Sequence, residues 1–180
     1  MTEKKNSSFW TDMVRPVVVL VAICLVASAL LGFTNAQTAP VIKANEEAAA
    51  AETRRSVLPD ADGFEEIPVS AELAEKGVTS IFRAANGAGV VVTAARKGYG
   101  GDVVVTVGFD NEGKILRVDA NVSTETQGVG SKVGERTILD RFNGVSGSAD
   151  DVTLRSGATY TSRAVREGVN AALAAVAAIG

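Results

Sequence analysis

The sequence predicts an α+β body carried behind one apolar N-terminal helix, and three observations predict it. The run Val14 to Phe33 is almost wholly apolar. Four short runs rich in Val and Thr follow between Val78 and Val122. The C-terminal stretch repeats Val165, Val169, Ala172, Leu173 and Val176 at helical spacing, which makes one apolar face. Strands first and a closing helix argue for a sheet covered by that helix.

The apolar run comes first. Broken only by Arg15 near its start, it is close to the short end of what a helix needs to cross a bilayer. Lys4, Lys5 and Arg15 lie at or before its start and the next basic residue is Lys43, an asymmetry that puts the N-terminus in the cytoplasm and the body outside. Thr34-Asn35-Ala36 is a poor small-x-small cleavage site, and the run is longer than a signal-peptide core, so an uncleaved single-pass anchor is expected. The reading divides the chain into a cytoplasmic tail at 1–13, a transmembrane helix at 14–36, a helical linker at 37–60 and an extracytoplasmic domain at 61–180. Within the linker, Glu46 to Val57 reads as a helix, with Glu46 and Glu47 early and Arg54 and Arg55 late, matching the dipole. Pro59 closes it. The acidic patch Asp60, Asp62, Glu65 and Glu66 reads as a solvated turn without calcium-loop spacing.

The body then changes period. Val78–Ala84, Gly89–Ala95, Val103–Phe109 and Ile115–Val122 read as four strands. Asp110-Asn111-Glu112-Gly113 is a turn, because Gly113 can adopt a positive φ, so the last two strands form a hairpin and the sheet is antiparallel. Lys132–Phe142 carries Val133, Ile138, Leu139 and Phe142 and reads as a helix.

Composition removes several classes of chemistry. The chain has 180 residues and a net charge of −3, which suits one domain with appendages and gives no footprint for nucleic acid. It has no histidine, and its one cysteine, Cys24, sits in the apolar run. Histidine acid–base chemistry, histidine-ligated haem, cysteine-ligated zinc, iron–sulfur ligation and an intrachain disulfide are therefore excluded. No metal site and no catalytic acid or base is expected, so a redox role would need an organic cofactor.

The candidate site is Ser156-Gly157-Ala158-Thr159-Tyr160-Thr161-Ser162, which sets four Ser or Thr hydroxyls before the apolar face of the terminal helix, with Arg163 and Arg166 one turn in. Ser and Thr at that position often do no more than cap orphan N–H groups. The same place also suits a phosphate, since free N–H groups and the positive end of the dipole converge there. A second stretch, Glu125-Thr126-Gln127-Gly128-Val129-Gly130, lies within Thr124–Gly134, which reads by itself as a flexible surface loop whose glycines serve tight turns.

These residues resemble the FMN-binding subunits of the Rnf and Na⁺-translocating NADH:quinone oxidoreductase complexes. Ser156–Ser162 is similar to their flavinylation motif, Glu125–Gly130 to their E-T-P-G-L-G loop, and Lys97-Gly-Tyr-Gly-Gly101 with Gly108-Phe-Asp110-x-x-Gly113 to their glycine-rich central hairpin. The order of anchor, hairpin, loop and terminal motif also agrees, most nearly with the Rnf G subunits. Gln127 stands where the family has proline, Val129 where it has leucine, and Thr153 where it often has aspartate. The resemblance implies an FMN-binding domain with FMN joined by a phosphoester to Thr159, and Ser156, Gly157 and Ala158 around the attachment. Thr161 and Ser162 would cap the helix and bind the phosphate; Glu125, Thr126, Gly128 and Gly130 would meet the ring or ribityl chain. Tyr99 reads either as half-buried strand core or as a neighbour of the flavin. The resemblance further implies an electron-carrying subunit without independent catalysis in a cell-membrane translocase that couples ferredoxin–NAD electron transfer to Na⁺ or H⁺ movement. Its partners would be the other membrane, iron–sulfur and flavin subunits, with a separate flavin transferase for maturation. A sister role in the quinone-reducing Na⁺ pump, a stand-alone extracellular flavoprotein and a flavin-free membrane-anchored scaffold are the alternatives.

Overall fold

A computed structural model describes residues 13–179; the polar head with Lys4, Lys5 and Trp10 lies outside the described residues. The chain divides into two compact units, Met1–Ala49 and Ala50–Gly180.

Among the described residues the first unit is helical. Helix α1 runs from Arg15 to Val57, 43 residues in all, and its apolar part is a candidate membrane span with no side chain buried against protein. Two hydroxyls along it are satisfied within the helix: Thr34 Oγ1 donates to Leu30 O and Thr38 Oγ1 to Thr34 O, each at 2.9 Å. Such back-bonding lets a polar side chain sit in an apolar helix without an unpaired donor. The helix expected at Glu46–Val57 is the end of this element and not a separate one. Pro40 lies inside α1 and removes only one backbone donor there.

The second unit is an antiparallel meander of five strands in sequential order: β1 Phe64–Ile67, β2 Val78–Ala84, β3 Val90–Lys97, β4 Asp102–Phe109 and β5 Ile115–Asn121. The expected α+β class is observed, with one strand more than the four expected. Phe64-Glu65-Glu66-Ile67, whose glutamates suggest a solvated turn, pairs with β2 instead, Glu66 opposite Phe82 and Ile67 opposite Ile81. Two glutamates are poor strand formers, but on a short edge strand their exposed charges deter pairing with another chain. The connection to β2 holds a one-turn helix, α2 Ala71–Glu75, capped by Ser70.

Register builds the core. Ile81, Val92, Val107 and Val118 fall in one cross-strand row, and Ala94, Val105 and Ala120 in the next. All seven are buried. Helix α4, Thr159–Ile179, lies on this face, with Ala164, Val165, Val169, Ala172, Leu173 and Ala175 turned inward. Its many alanines favour the helix, and Gly168 lets it approach the sheet, since a Cβ there would meet Val105 Cγ2 at 2.9 Å. On the other face the last turn of α1, whose residues from Ala50 belong to this second unit, fits over Gly108, where any side chain would strike the carbonyl of Val57. Arg54 lies 4.2 Å above the Phe82 ring, and Arg117 donates to Ser56 O at 3.3 Å.

The helix expected over Lys132–Phe142 is replaced by two 3-10 turns, Gly130–Gly134 and Asp140–Phe142, flanking a four-residue helix α3, Arg136–Leu139. Glu135 is extended, with φ −66 and ψ 141. The chain must pass close to β5 here: a Cβ on Gly134 would meet Val122 Cγ2 at 2.7 Å. That closeness outweighs the helical pattern of Val133, Ile138, Leu139 and Phe142, which are buried all the same.

Candidate functional site

The site forms at one end of the sheet, where the β3–β4 turn, the loop after β5 and the start of α4 meet. It is a cavity of about 210 Å³ lined by Tyr99, Glu125, Thr126, Val129, Gly130 and the residues from Gly157 to Thr161. A broader trough of about 880 Å³ opens at the other end, between the β2–β3 and β4–β5 turns and the end of α4. None of the residues from Ser156 to Ser162 reaches that trough, so the smaller cavity is the candidate.

The start of α4 decides what each hydroxyl can do. Gly157 has φ +85, outside the range of other residues, and turns the chain into the helix. The carbonyl of Ala158 accepts the first helical hydrogen bond, from Ser162 N at 2.9 Å. Ala158 therefore stands at the N-cap, and alanine has no side-chain acceptor to offer the first amides. The expectation that Thr161 and Ser162 cap the helix is overturned, because both lie inside its first turn and are buried. Thr161 Oγ1 donates to Glu125 Oε2, and Ser162 Oγ donates to Arg155 O at 3.2 Å. Thr159 is exposed, and among the described residues its hydroxyl makes no hydrogen bond. The first-turn amides are thus left for a ligand, which is where an anion is stabilised by N–H groups and dipole together.

Glu125 is the buried carboxylate of the site, only 4% exposed. It accepts from Tyr99 N at 3.0 Å, from Gly100 N at 3.0 Å and from Thr161. Burial by itself would raise its pKa, but the hydrogen bonds from Thr161 and from the amides of Gly100, Tyr99 and Gly101 outweigh it and hold the carboxyl below its ordinary value. The charge is therefore kept inside the fold by donors alone.

The other expected site residues separate. Thr126, Gly130, Gly157 and Ala158 line the cavity with Thr159, whereas Ser156 and Gly128 are exposed and stand outside it. Gly128 serves the loop instead, with φ +78 and its amide donating to Ser131 Oγ at 2.9 Å. Tyr99 is not strand core: it sits in the turn after β3, 74% exposed, at the rim. Sequence reasoning missed its companion, Tyr160, whose ring centroid lies 6.1 Å away and which carries the Arg163 guanidinium at 5.3 Å. An aromatic residue directly after Thr159, one position before a buried Thr161, was the available signal. Val129 adds a third exposed apolar side chain to the rim.

Comparison with known proteins bears on this geometry. The FMN-binding domain family matches residues 98–174, which include every wall of the cavity, and the RnfG N-terminal region matches residues 1–57. The two matches give the chain an RnfG N-terminal region ahead of an FMN-binding domain. It is similar to the G subunit of the Na(+)-translocating ferredoxin:NAD(+) oxidoreductase complex of Acetobacterium woodii, 29% identical over 94% of both chains. It is also similar to the G subunit of the proton-translocating ferredoxin:NAD(+) oxidoreductase complex of Clostridium ljungdahlii, 25% identical over 86% of both. Within the FMN-binding domain the residues present suit FMN. An uncapped helix start and an exposed threonine hydroxyl suit its phosphate, and Tyr99, Val129 and Tyr160 offer apolar surface beside them.

Proposed function

We propose that this chain is an electron-carrying subunit of a membrane-bound ferredoxin:NAD oxidoreductase complex, holding one FMN through a phosphoester on Thr159. The observation that carries the reading is the helix start: the exposed Thr159 hydroxyl lies beside an N-cap alanine that cannot satisfy the first-turn amides. The two relatives, both G subunits of such complexes, support the setting.

FMN, when bound, supplies one- and two-electron transfer that no side chain here provides. The chain's part is attachment and orientation. A separate flavin transferase would use FAD: the Thr159 oxygen forms a bond to the phosphorus on the riboflavin side, the pyrophosphate bond breaks, AMP leaves and the hydroxyl proton goes to solvent. Gly157 and Ala158 add little bulk beside the ester, and the first-turn amides face its charge. Tyr99, Tyr160 and Val129 would hold the ring system, and Thr126 would offer it a hydroxyl. A covalent link keeps the flavin on an extracytoplasmic domain, where a free pool cannot be relied on. The N-terminal helix anchors the chain once in the cell membrane with its N-terminus in the cytoplasm, as the distribution of Lys and Arg suggests.

The test is intact mass and in-gel fluorescence after co-expression with a flavin transferase. A gain of one FMN less one water, retained on denaturation and mapped to the Ser156–Arg163 peptide, is expected. Thr159→Ala should abolish it with stability changed by less than about 0.5 kcal/mol, since the side chain is exposed. A colourless, unmodified wild-type chain under conditions that label another family member would sink the reading and favour a scaffold without flavin.

A further inference from the structure

We propose that Glu125 is a positioning residue for the attachment at Thr159, a clasp that joins three segments. The inference rests on the reading of Thr159 as the attachment point. The clasp has its own observations. Glu125 comes from the loop after β5, its amide donors Tyr99 and Gly100 from the β3–β4 turn, and its hydroxyl donor Thr161 from the first turn of α4. None of these segments is sequential with another, so the carboxylate is where the site is tied together.

The chemistry favours a carboxylate there. The amides around it are donors, and an ionised glutamate is acceptor-only, with Oε1 facing Tyr99 N and Gly100 N and Oε2 facing the Thr161 hydroxyl. Glutamine would keep the size, but its carbonyl oxygen would meet the two amides without charge, and its NH₂ would turn the Thr161 hydroxyl from donor to acceptor. The surrounding glycines fit the same purpose. A side chain on Gly98 would strike Glu125 Oε1, and one on Gly130 would meet Thr161 Oγ1 at 2.7 Å and Glu125 Oε2 at 2.9 Å.

The clasp acts on Thr159 through helix phase. Residues two apart on an α-helix are separated by about 200° around its axis. Holding Thr161 inward by its hydroxyl therefore turns Thr159 outward, toward the mouth of the cavity. The bonds to Tyr99 and Gly100 hold one aromatic wall against that same turn.

The experiment compares the full-length wild type with Glu125→Gln, Thr161→Val, the double variant and Thr161→Ser. Amide hydrogen exchange is measured first, on chain carrying no flavin. Glu125→Gln should lower protection at Tyr99 and Gly100, whose amides then meet a neutral oxygen, and at Ser162, the first hydrogen-bonded amide of α4, while β3 and β4 stay protected; unchanged protection at Tyr99 and Gly100 overturns the clasp. Rates of FMN transfer from FAD by a flavin transferase come second. Glu125→Gln and Thr161→Val should each fall roughly tenfold in turnover with KM for FAD unchanged, the factor that follows from one lost hydrogen bond to a charged group. The double variant should fall no further than Glu125→Gln alone, because Thr161→Val removes a bond that Glu125→Gln has already replaced, and Thr161→Ser should keep the wild-type rate. Transfer to Glu125→Gln at the wild-type rate, or additive losses, overturn the proposal. A wild type that takes no label rejects Thr159 as the attachment point, and the exchange data then decide the clasp alone. Should Glu125→Gln fail to fold, Thr161→Val, which keeps the shape of threonine, carries the same comparisons.

Discussion

Gly130→Ala isolates the packing beneath Thr159. The added Cβ would lie 2.7 Å from Thr161 Oγ1, 2.8 Å from Glu125 Cβ and 2.9 Å from Glu125 Oε2. Gly130 is buried and has no positive φ, so the backbone accepts alanine and only the collision remains. Two responses are open. The loop shifts, at the overpacking cost of about 1–3 kcal/mol, or the Thr161–Glu125 bond breaks, at about 1.5–3 kcal/mol for a hydrogen bond to a charged group. The movement that relieves one incurs the other, so the costs do not add, and a loss of about 2 kcal/mol follows. With a urea m-value of about 1–3 kcal/mol/M this lowers the unfolding midpoint by about 1 M. Gly128→Ala is the control: nothing lies within 4 Å of its Cβ, and its φ of +78 brings only backbone strain, about 1–2 kcal/mol. Urea unfolding with FMN incorporation separates them, since Gly130→Ala should slow attachment and Gly128→Ala should leave it alone. Wild-type stability and attachment in Gly130→Ala would refute the reasoning. Equal slowing by both would assign the effect to loop stiffness instead.

Two further outcomes follow from the same structure. The Glu125 carboxyl is held below its unfolded value of about 4.5, so its contribution is present above that pH and is lost as pH falls through the folded value. The urea midpoint of the wild type should therefore drop more steeply than that of Glu125→Gln as the pH falls below about 4.5, and parallel curves would show that the charge contributes nothing. Gly168→Ala sets a helix-propensity gain of about 1 kcal/mol against overpacking of about 1–3 kcal/mol, because the new Cβ sits 2.9 Å from the buried Val105 Cγ2. A net loss of about 1 kcal/mol is expected, and a variant more stable than wild type would mean that α4 can lift from the sheet without cost.

Much of the fold was legible because its signals are local. The Val- and Thr-rich alternation located β2 to β5 within two residues at each end, and the Asp110–Gly113 turn carries its own chemistry, with Gly113 at φ +75. Phe64–Ile67 was not legible, since its strand character comes from pairing with β2 and not from its own residues. Lys132–Phe142 failed for the opposite reason. Its apolar spacing is helical, but the need to pass β5 at Gly134 breaks it into separate turns.

The site divides along the same line. By itself the sequence determined the apolar N-terminal helix, the α+β class and the exclusion of histidine and cysteine chemistry, and it pointed to Ser156–Ser162 as the candidate site. These depend on composition and on neighbours a few residues apart. Tertiary structure alone decided which hydroxyl faces out. Thr159, Thr161 and Ser162 are alike in sequence, but the docking of α4 on β3 and β4 sets the phase of the helix, burying two of them and exposing Thr159. It also buried Glu125 among donors from segments 25 or more residues away, a partnership that no local pattern encodes because it exists only once the sheet has brought those loops together.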